Sequence, residues 1–379
     1  MSVHTLRKGA YKIAAPLVLG AALLVATGCG SNSGGSSSTG QTGGGAGVVK
    51  AQTLAEKATT RPTTLGVLKP IGKPVPTGKK LVFISCGVEA CEIQGNIIKQ
   101  GAADLGWSAS TIGTDGSPEQ LQNAFETALR QGADAVILNA VNRASVAKQI
   151  EKAKQQGVAF VTCCSTESPG NGILANVAGK DNSAKIGESL AAEIVADGKG
   201  KANTLFVNIS AFQILQALGK QLQNSYKQFC PDCSYAVLDI PVTSLGKDAP
   251  DRIVSYLRSH PQVNYVVLSV SNALGAGLPA ALRAAGLADK VKIVGQSGDT
   301  QTFQDLQANN VKSVVPFDYY AVDYLMLDAL ARHFAGAPPQ SATPPLWIVT
   351  SKNMPAEATK RLFPVVESYQ GEFKKLWGK

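Results

Sequence analysis

The chain has 379 residues, 44% of them hydrophobic and 17% charged, with a formal net charge of +9. About 300 residues remain once an N-terminal export signal and linker are set aside, which suits two lobes better than one core. Removing Arg7, Lys8 and Lys12 with the signal leaves +6, and the other Lys and Arg residues are scattered, so no basic run supports a nucleic-acid partner.

Arg7, Lys8 and Lys12 precede an apolar run from Ile13 to Ala26, the charged and apolar regions of an export signal. The run is too short for a comfortable membrane span. Ala26-Thr27-Gly28-Cys29 resembles the bacterial lipobox, with Ala26 where Leu is commonest. The resemblance implies that residues 1–28 are a lipoprotein signal peptide and that Cys29 is acylated to become the new N-terminus. One acyl chain binds membranes only marginally, so stable anchoring implies multiple acylation. The alternative is an ordinary secretory signal with a chance cysteine.

Residues 30–47 are almost entirely Gly, Ser, Thr, Asn and Gln, which predicts a flexible tether. Val49 to Lys57 reads as a short helix. Pro62, Pro70, Pro74 and Pro76 then predict a stiff, extended segment. The whole stretch 29–78 is expected to act as a lipid-anchored tether.

From Lys79 the pattern is regular. Leu81 to Ser85 reads as a buried strand, and Ile93, Ile97, Gly101 and Leu105 have helical spacing. Ser108 to Ile112 is a weaker strand. Ser117, Pro118 and Gln120 open a helix with a capping box. Ala135 to Leu138 and Val158 to Cys164 are further strands, with a helix through Val146, Ile150 and Ala153 between them. Strands are predicted again at 174–178, 203–209, 235–240, 263–270, 291–295 and 311–315. Helices are predicted at 182–197, 212–229, 248–259, 273–285, 300–309 and 320–335. A strand at Leu346–Thr350 and a helix over 355–377 end the chain. Strands apolar throughout imply helices on both faces of each sheet. The fold class is therefore α/β, with two doubly wound parallel-sheet lobes.

Ligands of such sheets bind beyond the carboxyl ends of the strands. That rule selects the loops Ser85–Glu89, Asn139–Arg143, Cys164–Thr166, Ile209–Phe212, Ser269–Asn272, Gln296–Asp299 and Phe317–Tyr320.

Six cysteines follow Cys29: Cys86, Cys91, Cys163, Cys164, Cys230 and Cys233. An even number in an exported chain suggests disulfides. Local pairing, Cys86–Cys91 and Cys230–Cys233, is expected. Cys163 and Cys164 could form a vicinal ring or stay as buried thiols, and buried thiols are the expectation. Cys230-Pro231-Asp232-Cys233 follows a helix rather than opening one, so it reads as structural rather than redox-active.

Catalytic patterns fail on inspection. His4, His260 and His333 have no partner at metal-ligand spacing. Gly295-Gln296-Ser297-Gly298-Asp299 lacks the final glycine of a nucleophile elbow. Gly275-Ala276-Gly277 is separated from its strand, and Pro279 intrudes on a dinucleotide fingerprint. No enzyme activity, cofactor or metal is expected.

Gly132-Ala133-Asp134-Ala135-Val136-Ile137-Leu138, Gly179-Lys180-Asp181-Asn182 and Val291-Lys292-Ile293-Val294-Gly295 occur in the order and spacing of one known family. Over residues 79–353 the chain resembles the type 1 periplasmic binding proteins, in the ribose/galactose-like branch of ABC transporter solute receptors. The resemblance implies a hinge crossed three times, near 165, 316 and 344. The first lobe would then hold 79–165 plus 317–343, and the second 166–316 plus 345–379. It implies a monomer on the outer face of the cell membrane that binds a small molecule and passes it to an ABC permease. A sensory receptor signalling to a membrane partner, or an extracytoplasmic enzyme on the same scaffold, is the alternative.

Departures from the family's sugar-binding positions bear on the ligand. Cys164 and Ser165 stand where Asp-Arg is typical, Ser271-Asn272 where Asn-Asp is typical, and Gln296-Ser297-Gly298 replaces Phe-Asp-Gly. Gly87-Val88-Glu89 replaces the usual aromatics. The candidate ligand-binding residues are Gly87, Glu89, Asn142, Arg143, Cys164, Ser165, Phe212, Asn272, Ser297, Phe317 and Tyr319. Arg143 could hold a carboxylate through a two-pronged contact. A sugar is the family default, with a less polar or carboxylated solute as the alternative.

Overall fold

A computed structural model describes residues 44–66, 68–85 and 89–379. The signal peptide, the lipidation candidate Cys29, Cys86 and Gly87 lie outside them, as does the side chain of Glu89. The described chain opens with α1 (Gly44–Thr59) and then alternates: β1 (Lys80–Ile84), α2 (Glu89–Asp104), β2 (Ser108–Ile112), α3 (Pro118–Arg130), β3 (Ala135–Leu138), α4 (Ala147–Gln155), β4 (Ala159–Cys163) and β5 (Ala175–Val177). These five strands form one sheet, order β2-β1-β3-β4-β5, parallel throughout.

A second set follows: α5 (Lys180–Asp197), β6 (Asn203–Asn208), α6 (Gln213–Phe229), β7 (Ser234–Asp239), α7 (Ala249–Ser259), β8 (Tyr265–Leu268), α8 (Ser271–Leu274), α9 (Leu278–Ala284), β9 (Lys292–Gln296), α10 (Thr300–Gln307) and β10 (Ser313–Val315). Its sheet is also wholly parallel, order β10-β9-β8-β6-β7. Then come α11 (Tyr319–Phe334) and α12 (Tyr369–Leu376).

Each sheet is covered on both faces, as the apolar strands require. Successive β1 residues serve opposite cores. Leu81 and Phe83 join the layer under α2, α11 and α12, while Val82 and Ile84 join the layer under α3 and α4. In the second sheet Leu205 and Val207 face one core and Phe206 the other. Each such side chain contributes roughly 1.5–3 kcal/mol when fully buried.

Several expected boundaries move. β5 pairs with β4, so the chain stays with the first sheet through Val177 and leaves it between Val177 and Lys180 rather than near 165. The expected helix over 273–285 is two pieces, because Gly277 takes a left-handed φ of 78° and Pro279 sits just inside α9. The expected helix over 355–377 is helical over Tyr369–Leu376 only; Pro355 and Pro364 interrupt the rest. The expected strand at 346–350 is a single antiparallel bridge from Val349 to Val314. Ser117 caps α3 as expected, but Gln120 bonds Asp115 instead of closing the box. Cys230 and Cys233 form the expected local disulfide. Cys163 and Cys164 are joined to each other, not left as thiols. Cys91 is disulfide-bonded too, its expected partner Cys86 lying outside the described residues.

The largest correction concerns the leader. Residues 44–66 and 68–78 are built into the fold. Ala51, wholly buried, packs with α5 and α6 residues such as Leu190 and Leu222. Gly47 permits the approach: a Cβ there would lie 2.5 Å from the Phe229 carbonyl oxygen. At the end of α1, Ile348 N donates to Ala58 O at 2.7 Å and Trp347 Nε1 to Thr59 O at 3.0 Å. Leu65, Ile71 and Val75 then join the core of the first lobe. Ile71 N donates to Leu376 O at 2.9 Å, and Trp107 Nε1 to Pro76 O at 2.6 Å. The leader thus passes from one lobe to the other between residues 59 and 65. The C-terminal chain makes a second added passage: Phe363 and Val365 belong to the second-lobe core, Val366 and Tyr369 to the first. Arg61 ties the two passages, donating from Nε to Val365 O at 3.0 Å and from Nη2 to Pro364 O at 2.9 Å.

If α1 is part of the folded core, Ala51→Asp places a charge among apolar side chains and costs about 3 kcal/mol in urea unfolding. Gln52→Asp, on the exposed face, changes stability by no more than about 0.5 kcal/mol. Equal and negligible effects of the two would return residues 44–59 to the status of a tether.

Candidate functional site

Four non-glycine residues with left-handed backbone stand just beyond strand ends: Ala140 (φ 54°) after β3, Cys164 (φ 60°) after β4, Ala178 (φ 50°) after β5 and Ser297 (φ 59°) after β9. Three of them extend the ladder before turning. Ala140 N donates to Cys163 O, Cys164 N to Val177 O, and Ser297 N to Val315 O, at 2.8–2.9 Å. Such conformations cost on the order of 1–3 kcal/mol each and concentrate at functional sites. All four residues line one cleft of about 420 Å³, within the usual range of ligand sites.

The cleft draws on both sheets. First-sheet loops supply Ala140, Cys164 and Ala178. Second-lobe elements supply Asn182, Ser183, Ile186, Ile209, Phe212, Ile214, Leu215, Val242, Leu245, Val270, Asn272, Ala273, Gln296 and Ser297. Phe317 and Tyr319, at the passage back into the first lobe, complete it. Their rings meet edge to face with centroids 4.8 Å apart. Phe212 caps the start of α6 and is 40% exposed, an apolar ring presented to the opening. A smaller recess of about 90 Å³ shares Ala140, Cys164, Phe212 and Ile214, and adds Asn142, Ser165, Thr166 and Gln213.

Among the described residues, none lining either space is charged. The polar groups are amides and hydroxyls. Gln296 Nε2 is occupied by Ser269 O at 2.7 Å, which ties the ends of β9 and β8 together. Asn272 donates its backbone N–H to Ser297 O at 3.0 Å, while its side-chain Oδ1 is buried with no hydrogen-bond partner. Buried acceptors are normally paired, so this oxygen is available to a donor on a ligand. Asn142 caps the helical turn at Arg143–Val146, accepting from Ala144 N at 3.0 Å. Ser165 Oγ accepts from Glu167 N at 3.3 Å.

Arg143 is not a ligand anchor in this geometry. Its Nε donates to Glu167 Oε2 at 3.2 Å, Nη2 to Ser168 O at 2.9 Å and Nη1 to Asn171 O at 3.3 Å. Glu167 Oε1 also accepts from the Arg143 backbone at 2.9 Å. The guanidinium fixes the 167–171 loop and lines neither space. Eight of the eleven expected residues, Asn142, Cys164, Ser165, Phe212, Asn272, Ser297, Phe317 and Tyr319, meet around the two spaces; Gly87 and the Glu89 side chain are not described. The sequence reading selected the loops that hold Ala140 and Ile209 without naming either as a ligand contact, and it missed Ala178 and the apolar wall of Ile186 and Leu215.

The fold is that of a known family. A family model described as a periplasmic binding protein domain matches residues 91–338. The chain belongs to the periplasmic binding protein family. Members of the family are mainly solute-binding receptors rather than enzymes. No curated protein matches the chain. Solved structures share the fold at low identity. The 5-methylthioribose transporter solute-binding protein of Thermotoga lettingae superposes with a TM-score of 0.64 at 20% identity, over 80% of this chain and 99% of that one. GanP, a glucose-galactose binding protein from Geobacillus stearothermophilus, gives 0.65 at 18% identity, over 74% and 100%. The fructose-binding periplasmic domain of a hybrid two-component system gives 0.62 at 16%, over 73% and 91%.

Asp318 lies between the two cleft aromatics and is buried. Its carboxylate accepts from Ala321 N at 3.1 Å, capping α11, and from Val365 N at 3.2 Å, in the added passage. Burial pushes its pKa from the ordinary 3.8 up to about 6, against the pull of the backbone N–H groups. Between those two values the folded chain holds a proton that the unfolded chain has lost. The stability this group contributes is therefore complete below about pH 4 and lost as pH rises through about 6. Asp318→Asn is expected to flatten the pH dependence of the urea midpoint in that window, by up to about 3 kcal/mol. An unaltered slope would contradict the assignment.

Proposed function

We propose that the protein is the extracytoplasmic solute-binding receptor of an ABC importer, anchored through Cys29, and that its cleft takes a small neutral molecule with substantial apolar surface. The observation that carries the reading is the cleft itself: strand ends of both sheets converge on a space lined by amides, hydroxyls and apolar groups, with no charge among the described lining residues. A desolvated carboxylate there would lack a cation, which is costly. A free polyol would need many paired donors and acceptors. A neutral solute with a few hydroxyls and an apolar portion meets both limits, with Asn272 Oδ1 as an acceptor and Phe212, Phe317 and Tyr319 as apolar faces.

Capture works by closure. Two lobes joined by several passages can close on a solute, provided it binds the closed form better than the open one. The closed receptor then presents to the permease. No helix among the described residues is long and apolar enough to cross a membrane. The proposed attachment to the bilayer is through the lipobox cysteine, Cys29. The receptor acts as a monomer, without a cofactor and without nucleic acid.

A thermal-shift panel tests this, because a ligand bound only by the folded state raises Tm, by about 2.7 kcal/mol of stabilisation at a hundred times Kd. The panel holds D-ribose, D-galactose, 5-methylthioribose, benzoate, 4-hydroxybenzoate and neutral and charged amino acids. The largest shift is expected from a member that has an apolar substituent and no carboxylate, and Asn272→Ala is expected to reduce it. A carboxylic acid giving the largest shift would overturn the proposed ligand class.

A further inference from the structure

Cys163 and Cys164 are bonded to each other where β4 meets the cleft. Cys163 closes the strand and is wholly buried. Cys164 turns into the left-handed region and lines both the main cleft and the smaller recess. Behind the pair, Gln94 Nε2 lies 3.8 Å from Cys163 Sγ and donates to Asp323 Oδ1 at 2.9 Å. The disulfide is therefore held from the buried side through Cys163 and reaches the cleft through Cys164. Ala140 and Ala178 flank it, and Phe317 lines the same space.

A disulfide has no N–H or O–H to donate, and its sulfurs are weak acceptors. It is also polarisable and apolar in contact, as sulfur side chains are. A hydroxyl pressed against such a wall loses its hydrogen bond to water and receives nothing back. An alkyl, aryl or alkylthio group loses nothing there and gains contact.

We infer that the Cys163–Cys164 disulfide is the specificity-determining wall of the site, and that it selects neutral polyols carrying an apolar substituent over the unsubstituted polyol. This rests on the solute-receptor reading above and narrows its ligand class. The substituent lies against Cys164, Ala140 and Ala178, and the hydroxyl-bearing portion faces Asn272.

The matched pair 5-methylthioribose and D-ribose, which differ at the 5-substituent, tests the inference by calorimetric titration of the full chain. The disulfide-bonded protein is expected to prefer 5-methylthioribose by about tenfold or more, the scale on which apolar pockets discriminate. In Cys163→Ala/Cys164→Ser, which puts a hydroxyl in the wall, the preference falls to within about threefold. Cys163→Ser/Cys164→Ser serves in its place if that variant fails to fold, with the same expectation. Retention of the full preference without the disulfide overturns the inference. So does equal binding, or a preference for D-ribose, in the disulfide-bonded protein; either result leaves the receptor reading intact. Binding of neither sugar overturns the ligand class, and no response to any member of the wider panel overturns the receptor reading as well.

Discussion

In each lobe five strands run parallel, and that arrangement obliges every connection to return across a face of the sheet. The carboxyl ends of all five strands then lie along one edge, with their loops. Where two such edges meet, loops are the material available for building a site. Here the strand ends are made unusually abrupt. Ala140, Cys164 and Ser297 each donate one more ladder hydrogen bond and then turn left-handed, and Ala178 turns left-handed directly after β5. The side chains delivered to the cleft by these turns are methyls, a sulfur and one hydroxyl. The low polarity of the cleft follows from that choice as much as from its aromatic rings.

The passages between lobes set what can move. Beside the passages after β5, before α11 and after α11, the chain adds one in the leader and one near Val365. Arg61 binds these two together through the Val365 and Pro364 carbonyls. Asp318 binds the start of α11 to Val365 N. Closure must therefore carry the leader with it. The described chain enters the fold at α1, on the second lobe, and only then reaches the first.

Much of this was legible in residues. Strands such as Leu81–Ile84 are apolar at every position because both faces are covered, and that pattern is visible without a structure. Eight candidate residues from the strand-end rule do meet around the two spaces. What escaped depends on partners distant in sequence. β5 is three residues long, and nothing in Ala-Asn-Val says which sheet it joins. Arg143 looks like a free cation until Glu167, 24 positions on, is folded against it. Ala140 and Ala178 carry no mark of a left-handed turn, since alanine avoids that region unless its surroundings impose it. The leader reads as a tether because its apolar residues are sparse. Gly47 and Ala51 are small because α1 must lie close to α6, and smallness in a Gly-rich stretch looks like flexibility.

The central claim is that the strand ends of both lobes form one solute site. Hydrogen–deuterium exchange, with and without the panel member that raises Tm most, tests it directly. The account predicts slowed exchange on both sheets at once, at 139–142 and 163–166 in the first lobe and at 270–273 and 296–298 in the second. Protection confined to one lobe, or to the amino ends of the strands, would contradict it.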